Sequence, residues 1–479
     1  MKKSAVVIVI CVVAAIIGLP PVFGTRTESQ FYRRIDAIND NGVLLLDVRS
    51  FERRWFTSTV TIDAGLSPAY LAQLERMVGP GGQAASDSGV LDQTFPIQAD
   101  VAHGPVIVRD GLYIGLAKVI AGPASAQPGT VELEEDLGIP YAFEFRGRSG
   151  LLGGLRFDAE IPASDYADGI NEVVFSGAQI EGSWNGDELI SHFQAASLFV
   201  SNPIAAASIN GISFSGDNRI LSRHLVLGSA EFLIEQMLIS DRTFGGEPLF
   251  EAGNIAIRGE TDRNDDGPLV SGTMTYAVDT VSAGERFRFT DGEVAVAFEN
   301  VDAEAMSDYV EAAQGLGDQA AGNPAPITVL LPAIHRLLAA EPLLSFDPIR
   351  FLMDDEPFEA SVHVRTNPAA LPDTVTGIQE DIALLVEALY GVTDAAASKT
   401  FARRIAVEII KAQLAASGAA GPFPGDIDSM AEAQAEIMLG ALTTQGVLEE
   451  DGESYRITFA FEDGQFSLNG NPLPFLFGQ

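Results

Sequence analysis

Cysteine is almost missing from this chain. The single Cys11 lies in an apolar run near the N-terminus, so the rest of the sequence has no disulfide, thiolate metal site or cysteine nucleophile. Lysine is nearly as scarce. Lys2, Lys3, Lys118, Lys399 and Lys411 are the five, and the other 24 of the 29 basic residues are arginine. Tryptophan is confined to Trp55 and Trp184. Positive charge is short overall, with 29 basic against 66 acidic residues and a net charge of −37. A surface of that sign repels phosphate backbones and anionic lipid headgroups, which argues against nucleic acid as a partner. The acids are spread along the chain, a composition that fits a salty habitat in which their repulsion is screened. The five histidines, His103, His192, His224, His335 and His363, never come closer than 28 positions (335 to 363). No His-Glu-x-x-His occurs, so they read as packing or surface residues.

What is present begins at the N-terminus. Lys2 and Lys3 precede Ser4–Gly24, 21 positions without a charge. About 20 apolar residues suffice to span a bilayer, and flanking lysines tend to stay inside. A second reading stays open. Pro20-Pro21 would break a helix near its outer end, and Val22-Phe23-Gly24 resembles a signal-peptide cleavage site. The anchored reading expects an N-terminal membrane helix over 1–24 and export of the rest. Removing the two lysines leaves the exported part at −39 (−37 minus 2).

From 25 to 300 the pattern is mostly strand. Val43–Val48 and Trp55–Ile62 are apolar, β-branched runs, while Tyr141–Arg148 and Phe287–Thr290 alternate with period two. Asp291-Gly292 predicts a hairpin between Phe287–Thr290 and Glu293–Phe298. Ser67–Val78 and Ala230–Ile239 read as short helices. From 301 to 479 helices dominate, over Ala303–Leu316, Pro326–Ala340, Thr376–Tyr390, Ser398–Ala416 and Ser429–Leu442. Phe401, Ile405, Ile409 and Ala412 mark the apolar face of the fourth, and Ser429-Met-Ala-Glu432 reads as a capping box opening the fifth. Two strand pairs lie among them, Leu343–Met353 with Phe358–Val364, and Tyr455–Phe461 with Gln465–Leu468. Gly418–Gly425 reads as a loop.

The motifs carry little chemistry. Asp262–Gly267 matches the first half of a calcium loop, but position twelve is Thr273, not a bidentate Glu. A turn built from Asn, Asp and Gly explains the same residues. Gly211–Gly216 lacks the glycine at position five of a nucleophile elbow, and Gly79-Pro-Gly-Gly82 has no following lysine. No catalytic, cofactor or metal residues are assigned.

Several short patterns appear in a telling order. They are Phe51-Glu-Arg53-Arg54-Trp-Phe56-Thr57-Ser58, His103-Gly104-Pro105, Phe175-Ser176-Gly177, the spaced prolines of Leu331-Pro332, Glu341-Pro342 and Asp347-Pro348, and the closing Gly464-Gln465-Phe-Ser-Leu468-Asn469-Gly470. Together with the N-terminal run, they resemble the YdgA-like family of bacterial envelope proteins of unknown function. That resemblance implies a single-pass protein of the bacterial inner membrane with its bulk in the periplasm, and no catalytic residues.

The fold expected is α+β: an extended, twisted, mostly antiparallel β-sheet with the C-terminal helices packed on it. The function expected is a non-enzymatic binding or scaffolding protein of the envelope. One alternative is a carrier of a lipid or other apolar ligand along a concave sheet, with Phe143, Phe145, Phe287 and Phe289 as candidate groove residues. A second is a carboxylate-dependent hydrolase, which would need paired acids in a closed pocket. The expected partners are the inner membrane and a lipid or envelope protein, with a homodimer as a further option. No cofactor is expected.

Overall fold

The computed structural model describes residues 20–40, 42–68, 70–71, 94–109, 111–124, 143–167, 169–222, 225–243, 246–264, 267–284, 287–319, 329–372, 387–416, 424–462 and 464–473. The chain divides into two compact units. Unit 1 comprises Met1–Val226 with Asp241–Gly246, and unit 2 comprises Leu227–Ser240 with Glu247–Gln479. Every strand pairing described below is antiparallel.

Unit 1 opens with α1 (Pro20–Asp40). The prolines expected to break a helix instead start one, because the first turn has no use for the N–H that proline lacks. The part of the uncharged run before Pro20 lies outside the described residues, and Pro20–Gly24 belong to α1. No described helix is long and apolar enough to cross a membrane. After α1 come β1 (Leu44–Arg53), β2 (Thr57–Leu66), β3 (Phe95–His103), β4 (Ala117–Pro123), β5 (Glu144–Ser149) and β6 (Leu155–Ile161), each paired with the next. β6 then pairs with β9 (Ala178–Asn185), β9 with β10 (Glu188–Ser201) and β10 with β11 (Ala205–Ser222). The short β7 (Ser164–Ala167) and β8 (Glu172–Phe175) pair with each other, and β8 borders the far end of β10.

The helix α1 supplies the core of this unit. Ile35 joins Val60, Ala99, Val101 and Ala121 in one buried cluster, and Phe31 packs beside Phe51 with ring centroids 5.6 Å apart. Polar ties fix its line. Asn39 exchanges two hydrogen bonds with the Leu46 backbone (2.7 and 3.0 Å), and Arg53 donates to Glu28 at 2.8 Å. Arg34 donates to the Gly153 carbonyl at 2.6 Å and stacks on Trp184, and burial lowers its affinity for its proton, with Arg33 adding to the effect.

Unit 2 is a meander of β12 (Leu225–Asp241), β13 (Pro248–Arg263), β14 (Leu269–Ala283), β15 (Phe287–Asp302), β16 (Leu343–Met353), β17 (Glu356–Thr366) and β18 (Leu389–Ser398). β18 pairs with β20 (Ser454–Glu462), whose other side carries β19 (Glu449–Asp451) and β21 (Gln465–Leu468), and β22 (Asn471–Pro472) follows β21. The helices are α2 (Ala303–Gln319), α3 (Leu331–Ala339), α4 (Lys399–Ala416) and α5 (Pro424–Thr444). Asp302 caps α2 by accepting from the Ala305 N–H at 2.7 Å, and Ser398 caps α4 by accepting from Phe401 at 2.9 Å. Both strand pairs expected among the helices are present.

Several expectations are corrected. Ala230–Ile239 is strand, part of β12. Its near-continuous apolar run satisfies a helical and an extended pattern alike, and pairing with β13 decides for strand. Asp291-Gly292 makes no hairpin. β15 runs straight through it, Asp291 takes φ 51°, and the register against β16 shifts between Thr290 and Glu293. The dipeptide is a bulge, the other use of an Asp-Gly pair in a strand. The buried side of α4 is Phe401, Ala406 and Ile410, with Ile409 and Ala412 exposed, because α4 packs on Ala431, Ala435 and Leu439 of α5. Ser429 sits inside α5, which Pro424 starts earlier. As expected of a turn, Asp262 and Arg263 end β13 and Asn264 donates to the Leu269 carbonyl of β14, while Asp265 and Asp266 lie outside the described residues. The expected helix Thr376–Tyr390 lies mainly outside the described residues, and its end, Leu389 and Tyr390, opens β18.

Candidate functional site

Antiparallel register sorts each sheet into two chemically distinct faces, since directly opposite residues share a face. In unit 1 one row runs Phe51–Val60–Ala99–Ala121–Phe145–Ala159–Ile180–Phe193–Phe214 across nine strands. The next row inward from the turns holds Phe157, Gly182 and Gly216. Phe157 lies over Gly182, where a Cβ would meet its ring at 2.7 Å, and Phe145 stacks on Phe157 at 6.0 Å. Phe51 through Phe145 of the first row belong to the cluster that α1 caps. Ile180, Phe193 and Phe214 are half-buried.

Unit 2 repeats the pattern. Phe232–Ile257–Tyr276–Val294–Ile349–Ala360–Ala395–Ile457 form one row, and Ala230–Gly259–Met274–Val296–Phe346–Val362–Thr393–Phe459 form the next. Helix α4 covers part of this face, where Phe401 touches the rings of Phe351 and Phe358 with centroids 5.8 and 5.6 Å away. Toward β14 the cover ends, and Met274 and Tyr276 are each 43% exposed.

The opposite faces are polar. In unit 1 a groove of about 390 Å³ is lined by Arg148, Arg156, Asp158, Glu181, Ser183 and His192 among others. In unit 2 a groove of about 540 Å³ lies beside the Asp291 bulge, with Asp279, Glu293, Arg350 and Glu359 on its walls. Cross-strand ion pairs lace this face. Arg258 donates to Glu231 at 2.7 Å and Arg350 to Glu293 at 3.0 Å. Burial opposes ionisation of Asp394, but hydrogen bonds from Arg456 at 3.0 Å and Thr458 at 2.9 Å outweigh it and hold the carboxyl below the usual range. At exposed Asp187, hydrogen bonds from Arg219 and from its own backbone do the same. Among the described residues no cluster of three His, Cys, Asp or Glu side chains is arranged to hold a metal.

The four candidate groove residues are divided equally between the two units. Phe143 and Phe145 belong to unit 1, Phe287 and Phe289 to unit 2. Phe145 lies on the apolar face but at its capped end. Phe289 packs edge-on to Phe351 at 5.6 Å, in the aromatic cluster that α4 closes. The more open apolar positions, Phe193, Met274 and Tyr276, were not among the candidates. Their signal was present: Gly272-Thr-Met-Thr-Tyr-Ala-Val278 alternates as cleanly as Tyr141–Arg148 does.

No curated protein and no solved structure matches the chain. Residues 1–475 do match the family described as bacterial protein of unknown function (DUF945), and the chain belongs to that family.

Proposed function

We propose that this is a non-enzymatic binding protein of the bacterial envelope, YdgA-like in kind. In this reading Ser4–Gly24 holds it to the inner membrane, its bulk lies in the periplasm, and an apolar ligand such as a lipid acyl chain rests on the half-covered sheet face. The observation that carries the reading is the uncapped stretch of unit 2. There, two adjacent apolar rows cross several strands, with Met274 and Tyr276 partly open. A monomer has little reason to leave such a face uncovered. Binding is favoured over hydrolysis because the acids of the described grooves line open sheet faces, not a closed pocket.

Mass spectrometry of full-length protein purified from native membranes tests this. Lipid should be retained through chromatography, and Tyr276→Asp should release it while the melting temperature changes little. If well-folded protein carries no lipid and binds no apolar probe, the carrier reading gives way to a scaffold.

A further inference from the structure

We propose that the turns joining β1 to β2, β3 to β4 and β5 to β6 dock on the surface of the bilayer that holds the N-terminal run. This rests on the anchored reading above. The three turns share one end of the unit 1 sheet, because Arg53 faces Ser58, His103 faces Ala117, Ala117 faces Ser149, and Ser149 faces Leu155. They also touch one another. His103 donates its N–H to the Phe56 carbonyl at 2.9 Å, and Leu116 donates to Ser149 at 2.8 Å.

These turns carry large apolar side chains that face water. Trp55 and Phe56 are 54% and 49% exposed, Val108, Leu112 and Ile114 are 75%, 74% and 65%, and Leu152 is 95%. Burying them within unit 1 would require covering the ends of its strands, and among the described residues nothing does so. An aromatic and aliphatic rim of this kind suits the interfacial zone of a bilayer.

The chain enters the fold at the same end. Helix α1 covers Pro20–Asp40 and so takes in the last residues of the uncharged run, Pro20–Gly24. Gly24 lies against the His103 ring, Thr27 donates to the Leu116 carbonyl at 3.5 Å, and Arg53 donates to Thr25 at 3.0 Å. A bilayer holding the part of that run before Pro20 would therefore lie beside these turns.

Charge agrees locally although it disagrees globally. On the outer face, one row in from the turns, Arg148 and Arg156 stand directly opposite each other on β5 and β6, while Lys118, opposite Arg148 on β4, is buried and donates to the Arg109 carbonyl at 2.9 Å. Like charges in that position weaken a sheet. In a chain of net charge −37, the exposed pair Arg148 and Arg156 offers a place for an anion, and lipid phosphate is the anion a docked bilayer would supply. Arg54 adds to this rim, and Arg109 is paired with Asp100 at 3.6 Å. The acids near this end include Glu28, which takes up Arg53, Asp187, which takes up Arg219, and Asp158 and Glu181, which share the groove of Arg148 and Arg156. Beyond a Debye length of about 8–10 Å, the acidic remainder is screened from the headgroups.

The test uses the full chain carrying Cys11→Ser and a single labelled cysteine, either Leu152→Cys or Ile204→Cys. Ile204 sits in the turn between β10 and β11, at the opposite end of the sheet. Each is reconstituted in phosphatidylethanolamine–phosphatidylglycerol vesicles with an environment-sensitive fluorophore and lipid-borne quenchers. The label at 152 should shift blue and be quenched, and the label at 204 should remain aqueous. Adding Arg148→Gln and Arg156→Gln should lower the docked-to-undocked ratio at 152 by roughly tenfold. If the chain floats with vesicles but the label at 152 stays aqueous, docking is overturned and anchoring stands. If the chain does not float, both fall. Equal quenching at 152 and 204 would also overturn the proposal.

Discussion

The strands beneath α1 and the strands around β14 follow the same two-residue alternation, yet they end in different states. Val60, Ala99 and Val101 are almost wholly buried, whereas Met274 and Tyr276 are each 43% exposed. Strand propensity does not separate them, since Gly272–Val278 is as regular as Thr57–Ile62. The difference is the partner. Phe31 and Ile35 of α1 close the face in unit 1, and in unit 2 the cover is Phe401 of α4, which reaches Phe351 and Phe358. Alternation therefore decides which face is apolar, and a segment remote in sequence decides whether that face is core or surface.

A single pair of substitutions puts this to the strongest test. Val101→Asp would place a carboxylate where there is no water, at a cost of several kcal/mol, and unit 1 should lose its cooperative melting transition. Met274→Asp should cost no more than about 1 kcal/mol, because the new charge stays solvated. Equal losses in denaturant titrations of the two variants would mean that the β14 face is as closed as the β2–β3 face, and the comparison would collapse.

The cover over unit 2 gives the next effect. Phe401 is 9% exposed and touches two rings. Phe401→Ala should cost about 3–5 kcal/mol, the range for truncating a buried phenylalanine. It should also widen the apolar surface, read as increased binding of a hydrophobic dye to the native state. A loss below 1 kcal/mol would show that α4 is not the lid.

The sequence made the strands legible wherever alternation was undisturbed, as in β5, β16 and β17, and it made α2 and α4 legible through their periodic apolar residues. It misled where one local signal has two uses. Asp291-Gly292 is turn chemistry whether the chain reverses or bulges, and only the partner strands distinguish the two. Ala230–Ile239 is apolar on nearly every residue, so its period is lost. The face of α4 was misplaced because α5, which it packs against, has small residues at Ala431 and Ala435 that carry no strong signal of their own. The candidate residues are spread over both units for a related reason. Alternation assigns Phe145 and Phe289 to apolar faces, but it does not say that they belong to different units or that each lies where a helix already packs.

The smallest effect concerns the polar face, where solvent access should make interactions weak. Asp394 tests this, being the acid of that face held by two donors, Arg456 and Thr458. Its carboxyl lies below the usual carboxylate range in the folded chain. A depressed folded pKa means that the interaction stabilises the protein above the unfolded value of about 4 and is lost as pH falls through the folded one. Asp394→Asn should therefore cost about 0.5–1 kcal/mol at neutral pH, discounted because the Arg456 side chain is about half exposed. The gap between wild type and variant should close below about pH 4. Thermal melts of both proteins from pH 7 to pH 3 measure it. A gap that does not narrow at all between pH 7 and pH 3 would assign the loss to packing of the side chain rather than to its charge. A gap of several kcal/mol at pH 7 would mean that this face is far less open to water than its ion pairs indicate, and the contrast between the two faces of the sheet would have to be redrawn.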